Sequence, residues 1–221
     1  MSSRSTKGKS WCSKLKKVLN EYNLAHLWEN PNTVFDYAQN NGNNGEAKVN
    51  IHDKGVWRKY FSKIIFQWEE KQWKERMWKK AKLRSYRYFK SHLRLEKYLS
   101  TSTYFRGRVL MTAIRSGSNQ LCIDVGRQKQ WKEAQRVCEH CDSKFVENEV
   151  HFVIFCAKYA SLREKLFQKI WIISDGKWKL QNHSWHDQFL ILVNGTGDTY
   201  QMLVFSAFQG FLFQAFKLRG V

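Results

Sequence analysis

Four residues in the C-terminal half have the types and spacing to hold a metal ion. They are Cys138 and Cys141 of Cys138-Glu139-His140-Cys141, then His151 and Cys156, a C-x2-C-x9-H-x4-C series. Zinc takes four sulfur or nitrogen ligands in a tetrahedron, and three thiolates with one imidazole meet that demand. The CxxC supplies two neighbouring corners from one tight turn, and the nine-residue spacer must fold back to bring the other two. His-x4-Cys is compatible with a helix starting near His151. Phe145, Val146, Val150, Phe152, Val153 and Phe155 supply apolar material to pack around the ion. His140 is a rival for the fourth position. The plainer reading is a reduced CxxC in a core beside an unrelated histidine, but the added His and Cys at ligand spacing favour structural Zn2+. A closed Cys3His shell leaves no open position, so such a site holds the fold and does no chemistry. Cys12 and Cys122 read as ordinary buried thiols.

The charge points to a partner. The 221 residues carry 38 Lys+Arg against 19 Asp+Glu, a formal net charge of +19. A domain so charged repels itself, and a polyanion relieves that. RNA or DNA leads, and an anionic membrane surface follows. Residues 54–108 hold 17 Lys+Arg and 4 Asp+Glu, so the surplus is concentrated there. The candidate phosphate contacts are Arg58, Lys59, Lys63, Lys79, Lys80, Lys82, Arg84, Arg87, Lys90, Arg106, Arg108 and Arg127. Arg84, Arg87 and Lys90 recur at helical spacing, which would put them on one face. Interleaved Trp and Tyr suit base stacking, although a helical aromatic stripe usually marks packing, so most of these tryptophans are expected in the core.

The elements that must position these residues read as mostly α. A basic lead over 1–10 precedes an amphipathic helix over 11–28, and Pro31 breaks it. Gln39 to Glu46 is a Gly/Asn loop. The spacing of Trp57, Tyr60, Phe61, Ile64, Ile65, Trp68, Trp73, Met77 and Trp78 predicts a long helix. A second helix is expected over 83–99 and another over 106–114, stopped by Ser116-Gly117-Ser118. Leu121 to Gly126 looks β-like. Helices are expected over 151–173, 182–193 and 200–216. The expected domains are a basic helical region over 11–135 and a zinc-site hairpin/helix subdomain over 136–221 with the C-terminal helices. With 43% hydrophobic residues and one Pro, wholesale disorder and Pro-rich architectures are excluded. No apolar run reaches membrane-span length, since Gln201, Ser206, Gln209 and Gln214 interrupt the best candidate. The polar start implies no secretory signal, and the expected location is intracellular, nuclear or cytoplasmic.

Several segments together resemble the zinc-binding region after the reverse transcriptase in non-LTR, LINE-like retrotransposon polyproteins. They are Lys82-Leu83-Arg84-Ser85-Tyr86-Arg87-Tyr88-Phe89-Lys90, Glu96-Lys97-Tyr98-Leu99, Ile114-Arg115-Ser116-Gly117-Ser118-Asn119-Gln120-Leu121 and Gly126-Arg127. The series continues through Arg136 to Cys141, Glu147 to Phe152, and Cys156-Ala157-Lys158-Tyr159 with Arg163. The resemblance covers about 11–170 and implies a tail, detached from its polymerase, that helps grip template RNA or target DNA. It also implies Cys138, Cys141, His151 and Cys156 as metal ligands. The nine-residue spacer departs from the four of a retroviral-type knuckle, so that loop geometry does not transfer. The chain has no Asp-Asp pair of the kind a two-metal polymerase site uses. Asp124 with Lys129 lacks the middle acidic partner of a nuclease set.

The leading expectation is therefore a non-catalytic, zinc-stabilised nucleic-acid-binding module. The alternative is a zinc-stabilised protein-interaction domain without nucleic-acid function. An unrecognised nuclease and surface binding to a membrane through 200–216 are weaker readings.

Overall fold

A computed structural model describes residues 11–29, 54–100 and 105–220. The expected basic lead, the break at Pro31 and the loop at 39–46 lie outside these residues. The chain divides into two compact units, 1–75 and 76–221. The division falls within one long helix. The mostly-α class holds: among the described residues there is no strand, only one antiparallel bridge between Val137 and Val146.

In the first unit, helix α1 (Trp11–Glu21) is followed by the short α2 (His26–Glu29). Asn23 takes a left-handed φ of 58°, and Leu24 N–H reaches back to Leu19 C=O at 2.6 Å. That turn satisfies late carbonyls of α1 and stops it. Leu19, Leu24, Leu27 and Tyr60 form a small core with Tyr22, Phe61 and Ile64 against it. Tyr22 and Trp68 meet edge to face at 4.9 Å. Tyr60, Phe61, Ile64 and Trp68 belong to α3 (Lys54–Trp78), the long helix that the aromatic spacing predicts.

The second unit is built around its last helix. It contains α4 (Tyr86–Phe89), α5 (Phe105–Ser116), α6 (Cys122–Gln128), α7 (Ala160–Ile173), α8 (Trp185–Asn194) and α9 (Gln201–Arg219). Helix α9 packs against α5, α7 and α8. Its Val204, Phe205, Phe208, Phe211, Leu212, Ala215 and Phe216 are all buried. Wide burial explains the lack of a clean polar face, and Met202, Leu203 and Leu218 are large hydrophobics that this helix leaves exposed. Among the described residues, no helix is long and apolar enough to cross a membrane. Ser184 starts α8 by accepting a hydrogen bond from Asp187 N–H at 3.1 Å. One apolar core joins Phe89, Met111, Ile114 and Leu121 to Phe152, Tyr159, Ile170 and Phe208. The stretch from 82 to 135 thus shares its core with the cysteine region.

Three expectations are corrected. Residues 83–99 form short turns and the four-residue α4, because Arg84 is drawn to Glu149 while Tyr86 and Lys90 both fold back onto Glu96, contacts that override helix propensity. Leu121 to Gly126 is mostly helical, a short apolar run whose period could not decide. Trp68 and Trp73 are only half-buried and Trp78 is 56% exposed, so these three tryptophans are not a core set. The deep positions go to Phe, Leu and Ile, whereas an indole carries an N–H that wants a partner. Trp178 shows this, donating to Asp198 Oδ2 at 3.0 Å.

Candidate metal centre

The cysteine loop is shaped by its backbone. Cys138 N–H donates to Phe145 C=O and Glu147 N–H to Arg136 C=O, each at 2.9 Å. Between them the chain turns tightly, with Lys144 at a φ of 55°. His140 N–H donates to Cys138 Sγ at 3.4 Å, which holds the first sulfur in place. Cys141 Sγ lies 3.1 Å from Ser143 Oγ.

The other two residues come from a single π-helical turn, His151–Phe155. Residues five apart lie about 140° from each other around an α-helix. The widened turn, closed by Cys156 N–H to His151 C=O at 2.7 Å, places both side chains in the cluster. Asn148 Oδ1 accepts from His151 N–H at 2.8 Å and starts the turn. Arg163 Nη1 donates to the carbonyls of Val153 and Cys156 at 3.4 and 3.3 Å, closing its end.

The donor atoms of Cys138, Cys141, His151 and Cys156 all lie within 4.8 Å of one another, close enough to hold a metal ion. Cys138 Sγ and Cys156 Sγ are 3.8 Å apart, and Cys141 Sγ and His151 Nε2 are 3.4 Å apart. A tetrahedral zinc ion would need about 3.8 Å between sulfurs and about 3.5 Å between sulfur and nitrogen. The donor set fits a zinc-sized ion. His140 is not in the cluster: its Nδ1 faces Lys158 Nζ at 3.2 Å.

The electrostatics suit a cation. Burial pushes the Cys138 and Cys156 thiols up. Burial acts the same way on Cys141, but hydrogen bonds from Ser143 outweigh it and bring that thiol down to about 7. Burial holds His151 below its ordinary value, which keeps the imidazole neutral as a ligand requires. Buried thiols favour the neutral form unless a cation compensates. Beside the cluster, Glu147 is fully buried and pairs with Arg219, with Nη2 to Oε2 at 2.9 Å. Its Oε2 also accepts Cys122 N–H at 2.8 Å. Burial alone would raise this carboxyl; the Arg219 and Cys122 hydrogen bonds bring it below the ordinary value.

The basic residues separate into two groups. Arg58, Lys59, Lys63, Lys79, Lys80 and Lys82 are exposed. Arg84 is held by Asp124 at 3.0 Å and Glu149 at 2.7 Å. Arg87 lies over the Trp78 ring at 5.0 Å and donates to Arg84 C=O at 3.2 Å. Lys90 Nζ is 2.6 Å from Glu96 Oε1. Arg106 lies over Phe213 at 5.4 Å, Arg108 over Phe105 at 5.9 Å, and Arg127 is 3.2 Å from Asp124. Arg84, Arg87 and Lys90 therefore do not share a helix face: Lys90 is extended, and Arg84 faces inward to buried carboxylates.

Sequence reasoning missed the buried cation Arg115. It bonds Val193 C=O and meets Glu96 at 2.7 Å, with its guanidinium 4.5 Å from the Phe89 ring and 5.1 Å from the Tyr98 ring. A charge directly after Ile114, on the apolar side of α5, was the available signal. Asp124, Glu147 and Glu149, all buried, were likewise not read as arginine partners. No family model, curated protein or solved structure matches the chain.

Proposed function

We propose that the chain is a non-catalytic, zinc-stabilised nucleic-acid-binding module, in keeping with its resemblance to the region after the polymerase in LINE-like retrotransposon polyproteins. The observation that carries this is the pairing of a closed Cys3His donor set with an exposed cationic surplus. Soft thiolates and one imidazole at tetrahedral spacing favour zinc over harder divalent ions. All four positions come from the protein, so the ion's role is to tie the CxxC loop to the π turn. Lys79, Lys80 and Lys82 are exposed and pair with no carboxylate among the described residues. Free surface cations release counterions from phosphates and make binding salt-dependent.

The test is fluorescence anisotropy of the zinc-loaded chain on a structured RNA and a matched DNA over a salt series. A slope of log affinity on log salt of magnitude about 4 or more supports several phosphate contacts. Weak, salt-indifferent binding overturns the reading. The protein-interaction alternative draws on a specific feature. An open apolar trough of about 740 Å³ beside the cluster is lined by Phe145, Val146, Val150, Phe155 and Trp185, with the Phe145 side chain 67% exposed. Salt-indifferent capture of a protein, lost on Trp185→Ala, would favour it.

A further inference from the structure

Three separated segments meet at a polar cavity of about 490 Å³ in the second unit. Its lining includes Lys82, Ser118, Gln120, Arg127 and Gln128, with Gly117 at its wall. Lys82 comes from the turn after α3, the Gly117–Gln120 loop follows α5, and the other two come from the end of α6. Among the described residues, the charged residues in the lining are both cations, and no carboxylate lines it.

The backbone is fixed for this approach. Gly117 has a left-handed φ of 60°, and a Cβ there would stand 2.3 Å from Lys82 C=O. The Gly117 loop is therefore pressed against the turn that carries Lys82. Ser118 N–H donates to Ala113 C=O at 3.0 Å, and Asn119 Oδ1 accepts Leu121 N–H at 3.0 Å, which hold the loop. Arg127 is positioned from below. Its Nη1 is buried without a hydrogen-bond acceptor and is held by a 3.2 Å ion pair to Asp124. Arg84 also meets Asp124, at 3.0 Å, so that carboxylate already has a second cation. The Lys82 ammonium has no partner among the described residues. Gln120 and Gln128 present exposed amides, and Ser118 an exposed hydroxyl.

The geometry points to this cavity as a phosphate-ester site, in which Lys82 and Arg127 take the anionic oxygens and Ser118, Gln120 and Gln128 take neighbouring hydroxyl or amide groups. An ammonium and a guanidinium lining one cavity are the usual chemistry for a phosphate. The volume falls within the range of about 300–1,000 Å³ found for small-ligand pockets, so a phosphate with its sugar fits. The phosphate belongs either to a nucleic-acid strand or to a free nucleotide. The strand form rests on the proposed nucleic-acid function; the free-nucleotide form does not.

The experiment is 15N-resolved NMR of the full zinc-loaded chain, titrated separately with inorganic phosphate, AMP and a twelve-nucleotide single-stranded RNA. RNA affinity is measured in parallel for Lys82→Ala, Gln128→Glu and the control Gln168→Glu, an equal charge change at an exposed position on α7. The expected result is that RNA moves the amides of Gly117 to Gln120 and of Arg127. Lys82→Ala then lowers affinity several-fold and reduces the salt slope by about 1. Gln128→Glu also lowers affinity, and Gln168→Glu does not. If AMP or phosphate moves the same amides and RNA does not bind, the cavity stands for free nucleotides and the nucleic-acid function falls. If RNA binds with a steep salt slope but the amides and both cavity variants are unaffected, the cavity assignment is overturned and the nucleic-acid function stands. If no probe moves these amides, the site is wrong. Melting curves confirm that each variant is folded, and Lys82 is exposed enough to replace without disturbing the core.

Discussion

At the residue scale the four clustered donors, the proposed metal ligands, carry the sharpest expectation. Cys156→Ser removes one donor from a buried cluster and leaves two thiols facing an incomplete shell. Bound zinc should fall from one per chain to near none, and the melting temperature should drop by about 10 °C, corresponding to roughly 3 kcal/mol in a chain of this size. Metal analysis and calorimetry on the same sample check both, and an unchanged melt with full zinc content would exclude a ligand role. Arg115 has a different sensitivity. Its planar cation lies against Phe89 and Tyr98 while it bonds Val193 C=O and Glu96. Lysine keeps the charge but loses the flat stack and the fork of donors. Arg115→Lys should lower stability by about 2 kcal/mol, read as a shift of the urea midpoint at constant m-value.

At the element scale, the turn after α5 is the most constrained backbone position. Gly117→Ala would place a methyl 2.3 Å from Lys82 C=O at a φ that L-residues seldom adopt. The expected loss is about 2–4 kcal/mol, and a melt within 2 °C of the parent would contradict the close approach. The π turn is the second such element. An α-helical continuation from His151 would carry Cys156 around the helix, away from the histidine. The spacing H-x4-C was legible in the sequence, and so was a helix near it. The widened turn was not, because it follows from Asn148 at its start and Arg163 at its end.

On the scale of the whole molecule, acid stability should depend on Glu147. Its carboxyl is shifted below its ordinary value of 4.5, so its contribution is complete above that value and is lost as pH falls through the lower folded value. With zinc bound as proposed, acid would also reprotonate the thiolates and release the ion, so stability should fall from both causes. Glu147→Gln should flatten the acid limb of a plot of melting temperature against pH while lowering the neutral plateau, because Arg219 is left with an uncharged partner. A limb of unchanged steepness would assign the acid sensitivity elsewhere.

Elements whose chemistry is local were legible in the order of residues. The period of aromatic residues specified α3, the Ser-Gly-Ser stop ended α5, and C-x2-C-x9-H-x4-C named the four donors that meet. Side-chain period and ligand spacing are properties of neighbouring residues, so one dimension suffices to read them. What each cation faces came from the folding of distant segments together. Arg84 and Lys82 are two residues apart, yet one is held by Asp124 and Glu149, 40 and 65 positions away, and the other is open to solvent. Charge counts cannot separate them, because desolvation and pairing depend on which distant carboxylates the core brings close. The membership of the large core was hidden for the same reason. Phe89 and Met111 share a core with Phe152 and Phe208, and hydrophobic pattern states that a face is buried without stating against what.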